Sequence, residues 1–196
     1  MKKKLVLLSM ILGVSLGAVA CSNNNPKPDE NASTNQSKID KNPDAYTENY
    51  SKNYKEYLAG LDEYSIYNIP ESVNKAYDGK EYPGNEKYLE EVKATYKDSR
   101  DKVQSFVNSL KNDIEIEDQE LNKMNKDLIA EGEKLIGELD TKIKKLDEIP
   151  KERLKDEKND FMNAVNDATK VDKDTRSDFN KMIDGMNKRL GIDSKI

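Results

Sequence analysis

Five apolar residues, Val107, Ile114, Leu121, Leu128 and Leu135, follow one another at intervals of seven. Seven residues make about two turns of an α-helix, so the interval returns a side chain to nearly the same face. Upstream, Tyr88, Val92, Tyr96, Val103, Phe106 and Leu110 hold to steps of three, four or seven, and downstream Leu139, Ile143 and Leu146 do the same. A stripe of this kind must be buried against another element, and no hairpin or βαβ pattern offers a sheet to receive it. The predicted fold is therefore all-α. It is an elongated antiparallel helical bundle, or a coiled-coil hairpin with smaller N-terminal helices packed beside it. Glu117 and Glu131 fall seven residues either side of Met124 and interrupt its layer, which favours bundle packing over a strict two-stranded coil.

Punctuation divides the rest. A first helix is expected from Pro43 to about Ala59, capped by Asn42, with Tyr46, Tyr50, Tyr54 and Tyr57/Leu58 on one face and Gly60 stopping it. A short helix is expected over Pro70 to Asp78, closed by Gly79, before the Pro83-Gly84 turn. Ile114-Glu115-Ile116-Glu117 alternates like a strand but has no partner, so it is either helix or a local break. Asp118 is placed to cap a 28-residue helix from Gln119 to Leu146, about 42 Å long at 1.5 Å per residue. Pro150 ends or kinks it. A fourth stripe uses Leu154, Phe161, Val165 and Ala168. A last helix follows Asp172-Lys173-Asp174 and carries Phe179, Met182/Ile183, Met186 and Leu190, with Gly191 at its end.

Composition removes several functions. The chain has 196 residues, no His, no Trp and one Cys. Imidazole bases, Ser-His-Asp relays and His-ligated metals are thereby excluded, as are an internal disulfide and a thiolate cluster. The segment from Val171 to Met182 resembles a Ca²⁺ loop only in Asp172, Asp174 and Asp178. It lacks the central Gly and the terminal Glu, so a solvated helix start is the better reading. No Gly-rich phosphate loop precedes a predicted helix. The expectation is of no catalytic residue, no cofactor and no metal.

The first twenty residues have a different character. Lys2 to Lys4 form a positive start, an apolar run extends from Leu5 to about Leu16, and Ala18-Val19-Ala20 leads to Cys21. This is the layout of a secretory signal peptide, shorter than the roughly 20 apolar residues of a spanning helix. On the residues alone, cleavage could leave a plain free thiol. The stretch from Leu16 to Cys21, however, resembles the lipobox of bacterial lipoproteins, with Ala18 where Leu is more usual. The resemblance implies lipidation of Cys21 by a diacylglyceryl group and cleavage just before it. Over residues 1–45 the chain is similar to small Lys- and Asn-rich lipoproteins of Gram-positive bacteria, a group that includes wall-binding coiled-coil lipoproteins. No motif ties the helical body to a family.

The expected organisation is thus a signal peptide at 1–20, a lipidated Cys and disordered tether at 21–45, and a helical domain at 46–196. Residues 22–45 contain a single large aliphatic side chain, Ile39, too little to offset the entropy of ordering them. In 46–196, Leu, Ile, Val, Met and Phe number 35 of 151, enough for a lean core. Loss of Lys2 to Lys4 takes the net charge from −5 to −8, which gives the mature chain no claim on nucleic acid. Nor is it a polybasic membrane binder. Anchoring is expected from acyl chains in the lipid bilayer, at the outer face of the cytoplasmic membrane, or at the outer membrane in a two-membrane organism.

All ten tyrosines lie between Tyr46 and Tyr96. Those at helical spacing read as the apolar stripe of the first helix. Tyr64, Tyr67 and Tyr82 lie off it in loop-like stretches and are the candidates for an interaction surface, towards an envelope protein or a cell-wall glycan. The predicted role is non-enzymatic contact within the cell envelope. A small-ligand- or glycan-binding lipoprotein is the alternative. A carboxylate-dependent envelope hydrolase is the remaining class, with two buried carboxylates about 5–9 Å apart as its signature.

Overall fold

A computed structural model describes residues 43–59, 61, 69–111, 115–170 and 175–193. It is all-α: six α-helices pack together, and no strand occurs among the described residues. The helices are α1 (Pro43–Asn53), α2 (Ile69–Ala76), α3 (Asn85–Leu110), α4 (Gln119–Asp147), α5 (Lys158–Thr169) and α6 (Thr175–Leu190). A π-helical turn, Tyr54–Leu58, continues α1, and a 3₁₀ turn, Lys151–Lys155, joins α4 to α5.

Two long helices organise the bundle. Lys111 pairs with Glu133, Arg100 with Asp140 and Lys93 with Asp147, so numbers falling along α3 meet numbers rising along α4. The pair is antiparallel, and we call the end near residues 111–118 the tip and the opposite end the base. Along the other side of α4, Thr175 meets Glu138, Gly185 meets Met124 and Arg189 meets Asp118. Lys145 reaches the carbonyl of Lys170. Thus α5 and α6 together make one interrupted rod running from base to tip. The fourth rod is α1, the π turn and α2. It starts at the tip, where Asn49 donates to the Ser109 carbonyl, and ends at the base, where the Tyr88 hydroxyl meets the Pro70 carbonyl. The result is an up-down-up-down bundle in which α3 and α4 are continuous and the two outer rods are each built from two helices.

Local chemistry fixes the element ends. Asp118 caps α4, its carboxylate accepting from the amides of Glu120 and Leu121. Gly84 precedes α3 with φ of 94°, and Gly191 follows α6 with φ of 67°, a left-handed conformation that a residue without a Cβ adopts freely. Predicted and observed ends agree closely for α4, where only Asp147 is added.

Several expectations change. The first helix does not stay α-helical to Ala59 but widens into the π turn at Tyr54. Apolar residues at 46, 50, 54 and 58 are spaced by four, which drifts roughly 40° per step around an α-helix. The looser winding of a π turn rotates less per residue and keeps both Tyr54 and Leu58 buried. The run beginning at Tyr88 ends at Leu110, and residues 115–118 are irregular, so the seven-residue series crosses from one helix into the next instead of marking one seam. Leu154 belongs to the 3₁₀ turn, outside α5. Asn42 and Ile114 lie outside the described residues.

The core runs the length of the bundle. Its tip half is built around Tyr50, Phe106, Val107, Leu128, Phe179 and Met186, and its base half around Tyr88, Val92, Leu139, Leu146, Phe161 and Val165. Between Val107 and Phe179, α4 presents Gly132, and a Cβ there would overlap the Val107 methyl. Three helices meet at that point because one of them has no side chain.

Candidate functional site

Cys21, Tyr64 and Tyr67 lie outside the described residues. Tyr82 lies at the base, half-buried. Its ring packs 5.9 Å from that of Tyr88, the Lys158 ammonium stands 4.9 Å above it, and its hydroxyl donates to Asn85 Oδ1 at 2.8 Å. Asn85 in turn donates to the carbonyls of Leu154 and Asp156, tying the start of α3 to the 3₁₀ turn. Tyr82 is therefore a joint of the base as well as a partly exposed aromatic. Nearby, the Tyr77 hydroxyl bonds to Glu91; burial and that carboxylate push its pKa up to about 12.

The tyrosine stripe of α1 turns inward at the tip. Tyr50 is fully buried, its ring edge-on to Phe106 at 5.6 Å and its hydroxyl donating to Asn187 Oδ1 at 3.0 Å. Tyr46 donates to Asn125 Oδ1 at 2.9 Å, while the Asn125 amide reaches the Leu110 carbonyl at 3.3 Å. One layer of side-chain hydrogen bonds thereby joins α1, α4, α6 and the end of α3. Burial raises the pKa of both phenols well above the usual tyrosine value.

A second polar group sits midway along the bundle. Lys142 and Glu138 of α4 form an ion pair at 2.9 Å with side chains only 3% and 8% exposed. The Glu138 carboxylate also accepts from the Thr175 hydroxyl and, at 3.4 Å, from the Thr175 amide, so a side chain of α4 meets the first residue of α6. The Lys142 ammonium lies 5.9 Å from the Tyr96 ring centroid, and Ser99, one turn further along α3, is fully buried with no partner for its hydroxyl among the described residues. Burial pushes the Tyr96 hydroxyl up to about 12, with Thr169 beside it acting in the opposite direction. This cluster was not foreseen from the sequence. Lys142 looks like one more lysine on a charged helix, and only its position beside Ile143 and Leu139 hints that it faces inward.

On the outside, Thr47, Glu48, Ser51 and Lys52 of α1, Lys55 of the π turn and residues Leu190, Gly191 and Ile192 line a shallow open groove of about 450 Å³. Among the described residues, no group of three or more acidic or Cys side chains is placed to hold a metal ion, and no helix is long and apolar enough to cross a membrane. Compared with known proteins, the chain matches no family model, no curated protein and no solved structure.

Proposed function

We propose that this chain is an extracytoplasmic lipoprotein, held to a membrane by acyl chains on Cys21, whose helical body acts through non-enzymatic contact with an envelope protein or cell-wall glycan. The observation that carries the reading is the order of features at the start: three lysines, a short apolar run, small residues, and then the chain's only cysteine. A lone thiol at that position has a chemical purpose as an acylation point. Each buried acyl CH₂ contributes about 0.8 kcal/mol, and stable attachment takes two or more chains. The net negative charge of the mature chain supports lipid over surface charge as the anchor.

The test is made on protein expressed with residues 1–20 present. Metabolic labelling with a palmitate analogue should mark the wild-type protein and leave Cys21→Ala unmarked. Wild type should partition into detergent and the variant should appear in the medium with an unchanged circular dichroism spectrum. Crosslinking in intact cells then identifies what the body touches. An unmodified Cys21, or membrane retention of the Cys21→Ala protein equal to wild type, would overturn the proposal.

A further inference from the structure

At the tip the two outer rods meet through side chains. There α1 packs on α3, and α6 packs on α4. Long side chains join α1 to α6: the Tyr46 hydroxyl reaches the Met186 sulfur at 3.9 Å, and Tyr50 bonds to Asn187. The shallow groove follows this seam, with α1 and the π turn on one side and residues 190–192 on the other. The two sides differ in chemistry. Leu190 and Ile192 are half-buried aliphatic side chains. Facing the groove from α1 and the π turn are Ser51 and the exposed ammoniums of Lys52 and Lys55. Neither lysine enters an ion pair among the described residues. Yet Glu48 lies four residues before Lys52, the spacing at which Asp98 pairs with Lys102.

We propose that this seam docks an acidic peptide segment of a partner protein, its carboxylates on Lys52 and Lys55 and an aliphatic side chain on Leu190 and Ile192. The inference rests on the reading of the chain as an envelope contact protein and names the class of partner. Small-molecule sites bury about 70–90% of their ligand, which an open groove cannot do, whereas a peptide needs cover on one side only. No aromatic side chain lines the groove, so a sugar ring has no face to stack on. Charge then selects the peptide: two unpaired ammoniums face a single carboxylate, Glu48, in a chain of net charge −5. In an extended segment successive side chains point to opposite sides. Carboxylates two residues apart therefore face the lysines while the residue between them faces Leu190 and Ile192.

Fluorescence anisotropy with a labelled peptide of alternating glutamate and leucine tests this on the full chain carrying Cys21→Ala. No lipid is needed, so failure here leaves the anchor standing, and failure of the anchor leaves this result standing. Combined Lys52→Ala and Lys55→Ala should weaken binding about tenfold. Lys52→Gln with Lys55→Gln, which keeps more of each side chain, should do the same and serves if the alanine variant loses helicity. Ile192→Ser should weaken it about fivefold. Raising salt from about 0.05 to about 0.5 M should also weaken it. A peptide of alternating glutamate and serine should bind about fivefold more weakly than the leucine peptide. No binding of the leucine peptide, equal binding by the serine peptide, or indifference to the lysines or to Ile192 overturns the proposal. So does tighter binding of a soluble wall oligosaccharide. Self-association of the chain that the lysine variants abolish gives the groove to a second copy and overturns it as well.

Discussion

Gly132 and Gly137 lie one turn and a half apart on α4 and look equivalent in the sequence, yet they occupy opposite situations. A Cβ on Gly132 would collide with Val107 and come within 3.2 Å of Phe179, both core residues with no room to retreat. Gly132→Ala should therefore destabilise the fold by about 1–3 kcal/mol, the usual cost of overpacking. At Gly137 nothing lies within 4 Å. Gly137→Ala should stabilise by up to about 1 kcal/mol through helix propensity alone. Urea denaturation of the two variants gives opposite shifts in midpoint. Asp118 is the other residue whose role is local. Its carboxyl pKa is lowered below 3.8, chiefly by the Leu121 amide it caps and also by Arg189. A folded-state pKa below the unfolded one contributes stability that is complete above pH 3.8 and disappears as pH falls through the folded value. Asp118→Ala should be less stable than wild type at pH 7, and the gap should narrow in thermal melts taken progressively below pH 3.8.

At the scale of elements, α1 is docked by rings and hydroxyls together, and its tyrosines separate the two contributions. Tyr50→Phe keeps the edge-on contact with Phe106 and removes only the bond to Asn187, which should cost about 0.5–1.5 kcal/mol. Tyr50→Ala empties a fully buried site and should cost about 3–5 kcal/mol. Equilibrium unfolding of the pair measures the difference. This helix also shows what the sequence conveys and what it withholds. Its inward face is plain from Tyr46, Tyr50 and Tyr54, and the cap of α4 is plain from Asp118 before an apolar run. Both are local signals, written in residues that touch one another along the chain. The π turn is not, because a spacing of four suits an α-helix for two steps and fails only as the drift accumulates. Nor is the Glu138–Lys142 pair, since Glu and Lys four apart are the commonest surface pattern a helix carries. Only packing against residues distant along the chain, such as Thr175 at 37 positions from Glu138, takes that pair out of water. Glu131 is a milder case: it disrupts the expected heptad layer and is indeed buried, but its carboxylate still reaches Lys134 at 2.7 Å.

For the whole molecule, a core built partly of phenols sets an alkaline limit. Tyr46, Tyr50, Tyr88 and Tyr96 are buried along the bundle from tip to base, and burial raises the pKa of each above the unfolded value of 10.0. Above pH 10 the unfolded chain loses these protons while the folded chain keeps them, so the folded state binds more protons and stability falls as pH rises. Each buried phenol adds to the slope, and the four lie in both halves of the bundle. Stability should hold to about pH 10 and then drop steeply, with tyrosinate absorbance near its ultraviolet maximum rising together with the loss of helical circular dichroism. A tyrosinate signal from all ten residues that develops smoothly while helicity stays intact would contradict the buried placement of the stripe. Tyr50→Phe, which removes one contributor, should lessen the slope above pH 10 while lowering stability at pH 7. The two effects have opposite signs, so following the same variant across pH separates the hydroxyl's role as a hydrogen-bond donor from its role as a buried acid.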